Sequence, residues 1–199
     1  MPTQESITQN RQSDSYADFK DIFVKSNMEY YRRVFKEKKE KSSPTDSKKD
    51  YFQSIIYGKN KVKLIDEEYK FDEGIMMSST DLNGITTYVN RKFCEISGYT
   101  KDELVGKNHN IIRHPHMPHV AFKELWSSLH SGNEWDGIIK NLRNDGRYFW
   151  VYSHIMPIVE DKIIIGYSAK SKPVLASELS QAIELYKGLL NEENNTGVR

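Results

Sequence analysis

Three strand-like runs follow one another between Glu134 and Lys170, and the turns that join them are too short for anything but antiparallel pairing. Glu134–Asn141 leads into Asn144-Asp145-Gly146, Tyr148–Val159 follows, and Asp161-Lys162 bends the chain into Ile163–Lys170. A parallel crossover would need about a dozen residues or more at each of those joints. Ahead of them, Gly74–Thr80 and Ile85–Val89 form another strand pair, joined through Asp81-Leu82-Asn83-Gly84. Asn-Gly between β-prone runs is a strong hairpin signal, because both residues tolerate positive φ. The expectation is a five-stranded antiparallel sheet in an α+β fold.

The stretch between the two strand groups reads as a helical connector covering one face of the sheet. Residues 90–97 form a short helix ended by Gly98, and Thr100 with Glu103 makes a capping box for another turn, stopped by Gly106. Pro118 suits a first helical position; Phe122, Leu125, Trp126 and Leu129 then mark one buried face, and Gly132 ends that helix. Downstream, Leu175, Leu179, Ile183, Tyr186 and Leu190 form a helical stripe. Upstream, residues 1–15 are polar and expected to be disordered. From Tyr16 to Lys41 apolar positions recur at helical spacing with a basic end, and 42–50 reads as a linker. The expected organisation is an N-terminal extension and linker over 1–50, a sheet domain with a lead-in segment over 64–173, and a C-terminal helix over 174–194.

Bulk properties narrow the function classes. A net charge of +1 makes no case for nucleic acid or a membrane surface. No apolar run approaches the roughly 20 residues of a bilayer span, and the N-terminal residues lack a signal peptide's apolar core. The single cysteine, Cys94, excludes an internal disulfide and fits a reducing compartment. A soluble cytoplasmic protein is expected. No nucleophile–base pair or paired carboxylates stand out, so an enzyme is not expected. No Gly-x-Gly-x-x-Gly supports a Rossmann-type dinucleotide site.

The segment from His109 to Pro118 concentrates candidate binding groups, and Trp135 and Asn141 follow in the next strand. Cationic donors beside a flat aromatic suggest a pocket for a planar, anionic cofactor. Arg113 can fork onto phosphate oxygens in a way lysine cannot. Free N–H groups at the helix opened by Pro118 would add a positive dipole end. Trp135 offers a ring, Ile111, Ile112 and Ile138 would exclude water, and Asn90 and Asn141 both donate and accept. Each has a plainer reading: Trp135 as core packing, Arg113 as a surface ion pair, Asn90 as a helix cap, Asn141 as a strand-edge or turn residue. Trp126 and Trp150 read as core, and Cys94 as an inert buried thiol. His109, His114, His116 and His119 fall close together, which keeps haem or a metal site open as alternatives.

The order of elements and a series of short motifs carry a resemblance. Ser79-Thr80-Asp81-Leu82, Tyr88-Val89-Asn90, Glu95-Ile96-Ser97-Gly98-Tyr99-Thr100 and Arg113-His114-Pro115-x-Met117-Pro118 come in sequence, followed by Trp135-x-Gly137-Ile138-x-Lys140-Asn141 and Gly146-x-x-x-Trp150-Val151. Over roughly residues 64–173 this series resembles the FAD-binding PAS domain of bacterial aerotaxis receptors. The resemblance implies a PAS fold, FAD as cofactor and a role in redox or energy taxis. It also implies Arg113, His114, Trp135, Asn141 and Asn90 as flavin-pocket residues, with His109 beside them. The sequence departs from the family pattern at His116 and Arg91, where acidic residues are usual, and the first departure bears on local hydrogen bonding. With no transmembrane, HAMP-like or long coiled-coil segment, the chain is similar to stand-alone energy-taxis PAS proteins of Campylobacter-type bacteria. The expected partner is a separate transmembrane chemoreceptor with a HAMP or signalling domain, which would recruit the protein to the inner membrane face. Self-association through the PAS domain and flanking helices is a further expectation. The alternative function is a cofactor-free interaction scaffold, or a haem-binding gas sensor.

Overall fold

Five strands form one antiparallel sheet in the order β2-β1-β5-β4-β3. They are β1 (Met76–Thr80), β2 (Thr86–Val89), β3 (Trp135–Leu142), β4 (Tyr148–Glu160) and β5 (Ile163–Lys172). The structure, a computed structural model, describes residues 62–196; the helix expected over 16–41 and the linker over 42–50 lie outside the described residues. Between β2 and β3 run α1 (Arg91–Ser97), α2 (Lys101–Leu104), a single 3-10 turn (His109–Ile112) and α3 (His119–His130). The last helix, α4, spans Ala176–Thr196.

Local chemistry sets the helix ends. The Asn90 side chain accepts from the Phe93 N–H at 2.8 Å and caps α1, and Gly98 closes it at φ +76. Both halves of the Thr100–Glu103 capping box are present on α2. Pro118 stands one place earlier than expected, as the cap residue before α3.

Turn chemistry differs between the hairpins. Between β1 and β2 only Gly84 takes a positive φ, and the bend is held by the Asp81 carboxylate, which accepts from the N–H groups of Asn83 and Ile85. Asn83-Gly84 is therefore not the two-residue turn that the dipeptide suggests. That geometry belongs to Asp161-Lys162, at φ 49 and 66, between the paired residues Glu160 and Ile163. A side chain in left-handed conformation is strained, so Lys162→Gly should raise stability by about 0.5–1 kcal/mol. An unchanged or lower urea midpoint would show that the turn does not hold this conformation.

Alternation along β3 and β4 separates two environments. Trp135, Gly137, Ile139 and Asn141 share one face with Phe149, Val151, Ser153 and Ile155, through the register Trp135↔Ile155 to Asn141↔Phe149. That face looks toward α3. On the other face Trp150 stacks on Tyr186 of α4, the ring planes 11° apart. The Tyr186 hydroxyl donates to the Ile138 carbonyl, and the Glu193 carboxylate accepts from the Val120 N–H at 2.9 Å. So α4 covers the far face at β3 and reaches the first turn of α3. Its buried side is Ala182, Tyr186, Leu189 and Glu193, whereas Leu175 is 52% exposed. The stripe read from the sequence is thus rotated, because Glu193 is drawn inward by the helix start it caps.

The lead-in segment 62–71 runs beside the β3–β4 hairpin. The Ile65 N–H donates to the Gly146 carbonyl, and a Cβ at Gly146 would run into the Lys63 carbonyl. Buried Arg143 ties this corner together. Its guanidinium lies 3.8 Å from the Tyr69 ring centre, donates to the carbonyls of Glu95 and Ile96 at the end of α1, and pairs with Asp145.

Candidate functional site

A cavity of about 340 Å³ opens between the sheet and α3, a size typical of small-ligand sites. The sheet floor supplies Met76, Ser78 and Thr80 from β1, Ile139 and Asn141 from β3, Ser153 and Ile155 from β4, and Tyr167, Ala169 and Ser171 from β5. The helical side supplies Phe122, Leu125, Trp126, Leu129 and His130 of α3 and Phe93 of α1, and Asn108, His109, Asn110, Ile112 and Arg113, with Leu82, Asn83 and Gly84 of the β1–β2 turn, close the remainder. Among the described residues, no carboxylate lines this cavity, and the only side chain with a permanent positive charge that does so is Arg113. The walls are aromatic and aliphatic, with amides and hydroxyls set into them. That donor set fits a planar ligand that is neutral or anionic and rich in hydrogen-bonding edges.

Three of the sequence-derived candidates meet here: His109, Arg113 and Asn141. Arg113 and Asn141 are joined backbone to backbone by an isolated bridge, and the Arg113 guanidinium lies 3.5 Å over the centre of the Phe122 ring. Asn141 is 7% exposed. His109 Nε2 lies 3.0 Å from Ser78 Oγ, with Phe93 edge-on to the ring at 5.6 Å, and burial pushes its pKa down to about 4.

Asn90, His114 and Trp135 do not line the cavity. Asn90 is occupied locally: besides capping α1, it accepts from the Met77 N–H at 3.1 Å and donates to the Ile75 carbonyl at 2.8 Å, fastening β1 to the start of α1. Trp135 shares the cavity face of β3, but its ring lies across Gly137, where a Cβ would overlap it. Its Nε1–H donates to Glu124 of α3 at 2.8 Å, so it ties α3 to the sheet beside the cavity.

His114 is turned the other way by the path of the chain. Residues 113–117 run along β3 at the edge of the sheet: Arg113 bridges to Asn141, and the Met117 sulfur accepts from the Lys140 N–H. In this strap Arg113 faces the cavity while His114 packs against Tyr148 and His116. The His114 Nδ1 accepts from the His116 N–H at 3.1 Å, which places the proton of the neutral ring on Nε2. Burial, then the nearby charge of Lys140 and then His116, push its pKa down to about 3.

Two further expectations change. Val120 at the start of α3 gives its N–H to Glu193, so this helix end is capped by the chain's own carboxylate rather than open to a phosphate. Of the isoleucines, Ile112 lines the cavity, but Ile138 lies on the far face under Tyr186, and Ile111 is outside the lining. Among the described residues no three His, Cys, Asp or Glu side chains converge to hold a metal, and no helix is long and apolar enough to cross a membrane.

The residues that sequence reasoning missed are Trp126 and Tyr167, packed edge-on at 5.5 Å in the cavity wall, with Phe93, Phe122, His130, Ser78 and Ser153. A helix stripe looks the same whether it packs on a sheet or roofs a cavity. The available signal was Ser153, a hydroxyl set into the apolar alternation Phe149, Val151, Ile155.

The element order, the strand order and a cavity between sheet and connector define the class, and residues 86–168 match the family described as PAS fold. The chain carries a PAS domain. Within that class its PAS region is similar in sequence to that of an aerotaxis receptor. It is 40% identical over 118 residues to the aerotaxis receptor of Escherichia coli (strain K12), covering 59% of this chain and 23% of the receptor. The biofilm dispersion protein BdlA of Pseudomonas aeruginosa is 25% identical over 88 residues, covering 44% of this chain and 21% of that protein. This chain therefore spans less than a quarter of either relative. Among solved structures, the light-state LOV domain of the blue-light photoreceptor Aureochrome1 is similar at 23% identity and a TM-score of 0.48, covering 60% of this chain and 91% of that one.

Proposed function

We propose that this PAS domain is a flavin-based redox sensor, with FAD held in the cavity between sheet and α3, that signals to a separate membrane-bound chemoreceptor from the cytoplasmic side. The observation that carries the reading is the pairing of Arg113 with Asn141 at an otherwise aromatic and hydroxyl-lined cavity. Support also comes from the 40% identity to an aerotaxis receptor and from the Arg113-His114-Pro115-x-Met117-Pro118 string.

Arg113 would present a forked, permanently charged donor to the ligand's carbonyl or phosphate oxygens. Asn141 would offer both a donor and an acceptor, and so could answer a change in ligand protonation by rotating its amide. His109, held neutral by burial, would add a hydrogen bond without a charge. Trp126, Tyr167 and Phe122 would cover the ring system and exclude water. When bound, the flavin would supply reversible electron transfer. Asn90 and Trp135 would act indirectly, by holding α1 and α3 against the sheet. His114 would do so by anchoring the strap that carries Arg113. The output would be a shift in how the sheet and its flanking helices pack, within this chain or against a second copy. The role proposed is sensory rather than catalytic.

An absorbance spectrum of the protein purified from cells, before and after dithionite, tests this. Bands near ~370 and ~450 nm that bleach on reduction are expected. A sharp band near ~400 nm would move the assignment to haem. A featureless spectrum that persists after incubation with FAD would leave a cofactor-free scaffold and overturn the reading.

A further inference from the structure

One part of the cavity wall has a chemistry that binding alone does not use. Trp126 and Tyr167 both line the cavity, packed edge-on at 5.5 Å. His130 follows on the same helix, its ring 5.6 Å from Trp126 and 6.4 Å from Tyr167. Tyr167 is buried, Trp126 half-buried and His130 exposed, so three contiguous rings run from the cavity to solvent. The edge of the Trp126 ring also approaches Gly84, 3.6 Å from where a Cβ would stand, which fixes the indole between α3 and the β1–β2 turn. Indole and phenol are the most readily oxidised side chains apart from thiols. The sole cysteine, Cys94, does not line the cavity, so no thiol competes there by addition to a bound ligand.

We propose that Trp126, coupled to Tyr167, is a built-in electron donor that makes this domain light-reactive: blue light absorbed by a flavin in the cavity draws one electron from the Trp126 indole. The inference rests on the flavin reading above and adds to it an activity. The electron balance is simple. The flavin gains one electron and the indole loses one. The oxidised indole releases its Nε1 proton to solvent, which reaches the half-buried ring. A soluble thiol, the co-reactant required, returns an electron and a proton to the indolyl radical and is itself oxidised toward its disulfide. The flavin then retains the single electron. Without the thiol, the electron returns to the tryptophan and no net change accumulates. Tyr167 serves by edge-on packing, which stabilises positive charge on the adjacent ring, and as a secondary donor.

The test uses the full chain carrying its flavin, under anaerobic blue light, with and without dithiothreitol. Expected in the wild type are strongly quenched flavin fluorescence, a transient tryptophanyl radical in time-resolved absorption, and build-up of one-electron-reduced flavin only with the thiol. In Trp126→Phe the fluorescence per bound flavin should rise several-fold, and photoreduction should slow in proportion. Tyr167→Phe should give a smaller change in the same direction. Absence of the tryptophanyl signal in the illuminated wild type would overturn the proposal whatever the variants do, as would a flavin-loaded Trp126→Phe protein with unchanged fluorescence and photoreduction rate. A wild-type protein that binds no flavin would instead overturn the flavin reading itself, and this activity with it.

Discussion

Arg113→Ala should lower FAD affinity by about a hundredfold, near 3 kcal/mol, as expected for losing a charge-assisted, forked hydrogen-bonding group from a largely apolar site. The effect depends on where this arginine stands rather than on its charge alone. Among the described residues it is the one permanently charged side chain that lines the cavity, so nothing else there can replace its field. Its guanidinium is already oriented by Phe122, at 3.5 Å, and its backbone is fixed to Asn141, so little entropy is lost on engaging a ligand. Arg113→Lys should recover part of the affinity through charge but not the fork. Flavin titration followed by fluorescence or calorimetry measures both. Full flavin content in Arg113→Ala would refute the placement of the ligand at this arginine.

Acid should destabilise the domain well before its carboxylates are neutralised. His109 and His114 are held neutral, at about 4 and about 3 against an ordinary value of 6.5. The unfolded chain therefore takes up protons that the folded chain refuses. The stability contributed by the neutral rings is fully present above the ordinary histidine value and is lost as pH falls below it. At about pH 5 the linkage amounts to roughly 2 kcal/mol for each ring and about 4 kcal/mol for the pair. The Asp145 carboxyl acts in a lower window: hydrogen bonding to Arg147, then to Arg143, holds it at about 2 against 3.8, so its contribution fades only at stronger acidity. Urea unfolding at neutral pH and near pH 5 should show the loss. The double variant His109→Gln, His114→Gln should flatten the difference. A wild-type midpoint independent of pH across that interval would mean that the rings are not desolvated as described.

How much of this was legible in the sequence depends on which interactions are local. The strand runs, the α1 stop at Gly98 and the Thr100–Glu103 box were readable because each is decided within a few residues of chain. The Arg113-to-Met117 string was readable as a motif, but its geometry was not. Only pairing with β3 shows that it is an edge strap whose alternate residues face opposite sides, which separates His114 from Arg113. Trp135 was ambiguous for a similar reason: alternation places it on the cavity face, and the room above Gly137 lets its ring lie along the strand toward Glu124. Trp126 passed as core because a helix stripe does not record the gap beneath it. Glu193 carried no signal at all, since a carboxylate in a charged helix reads as surface until its partner, remote in sequence, is known.

That same carboxylate gives α4 a mechanical character. Its buried positions Ala182, Tyr186, Leu189 and Glu193 follow one another by single helical turns, and two of them bond to fixed backbone groups, the Ile138 carbonyl and the Val120 N–H. Each residue along a helix turns the side-chain direction by about 100°. A slip of one residue would therefore present Glu192 or Asn194 to α3 and carry Tyr186 away from β3. No intermediate setting satisfies either bond. The helix would work like a detent, seated or unseated, so a change in the cavity that displaces α3 would reach α4 as a step rather than a gradual drift.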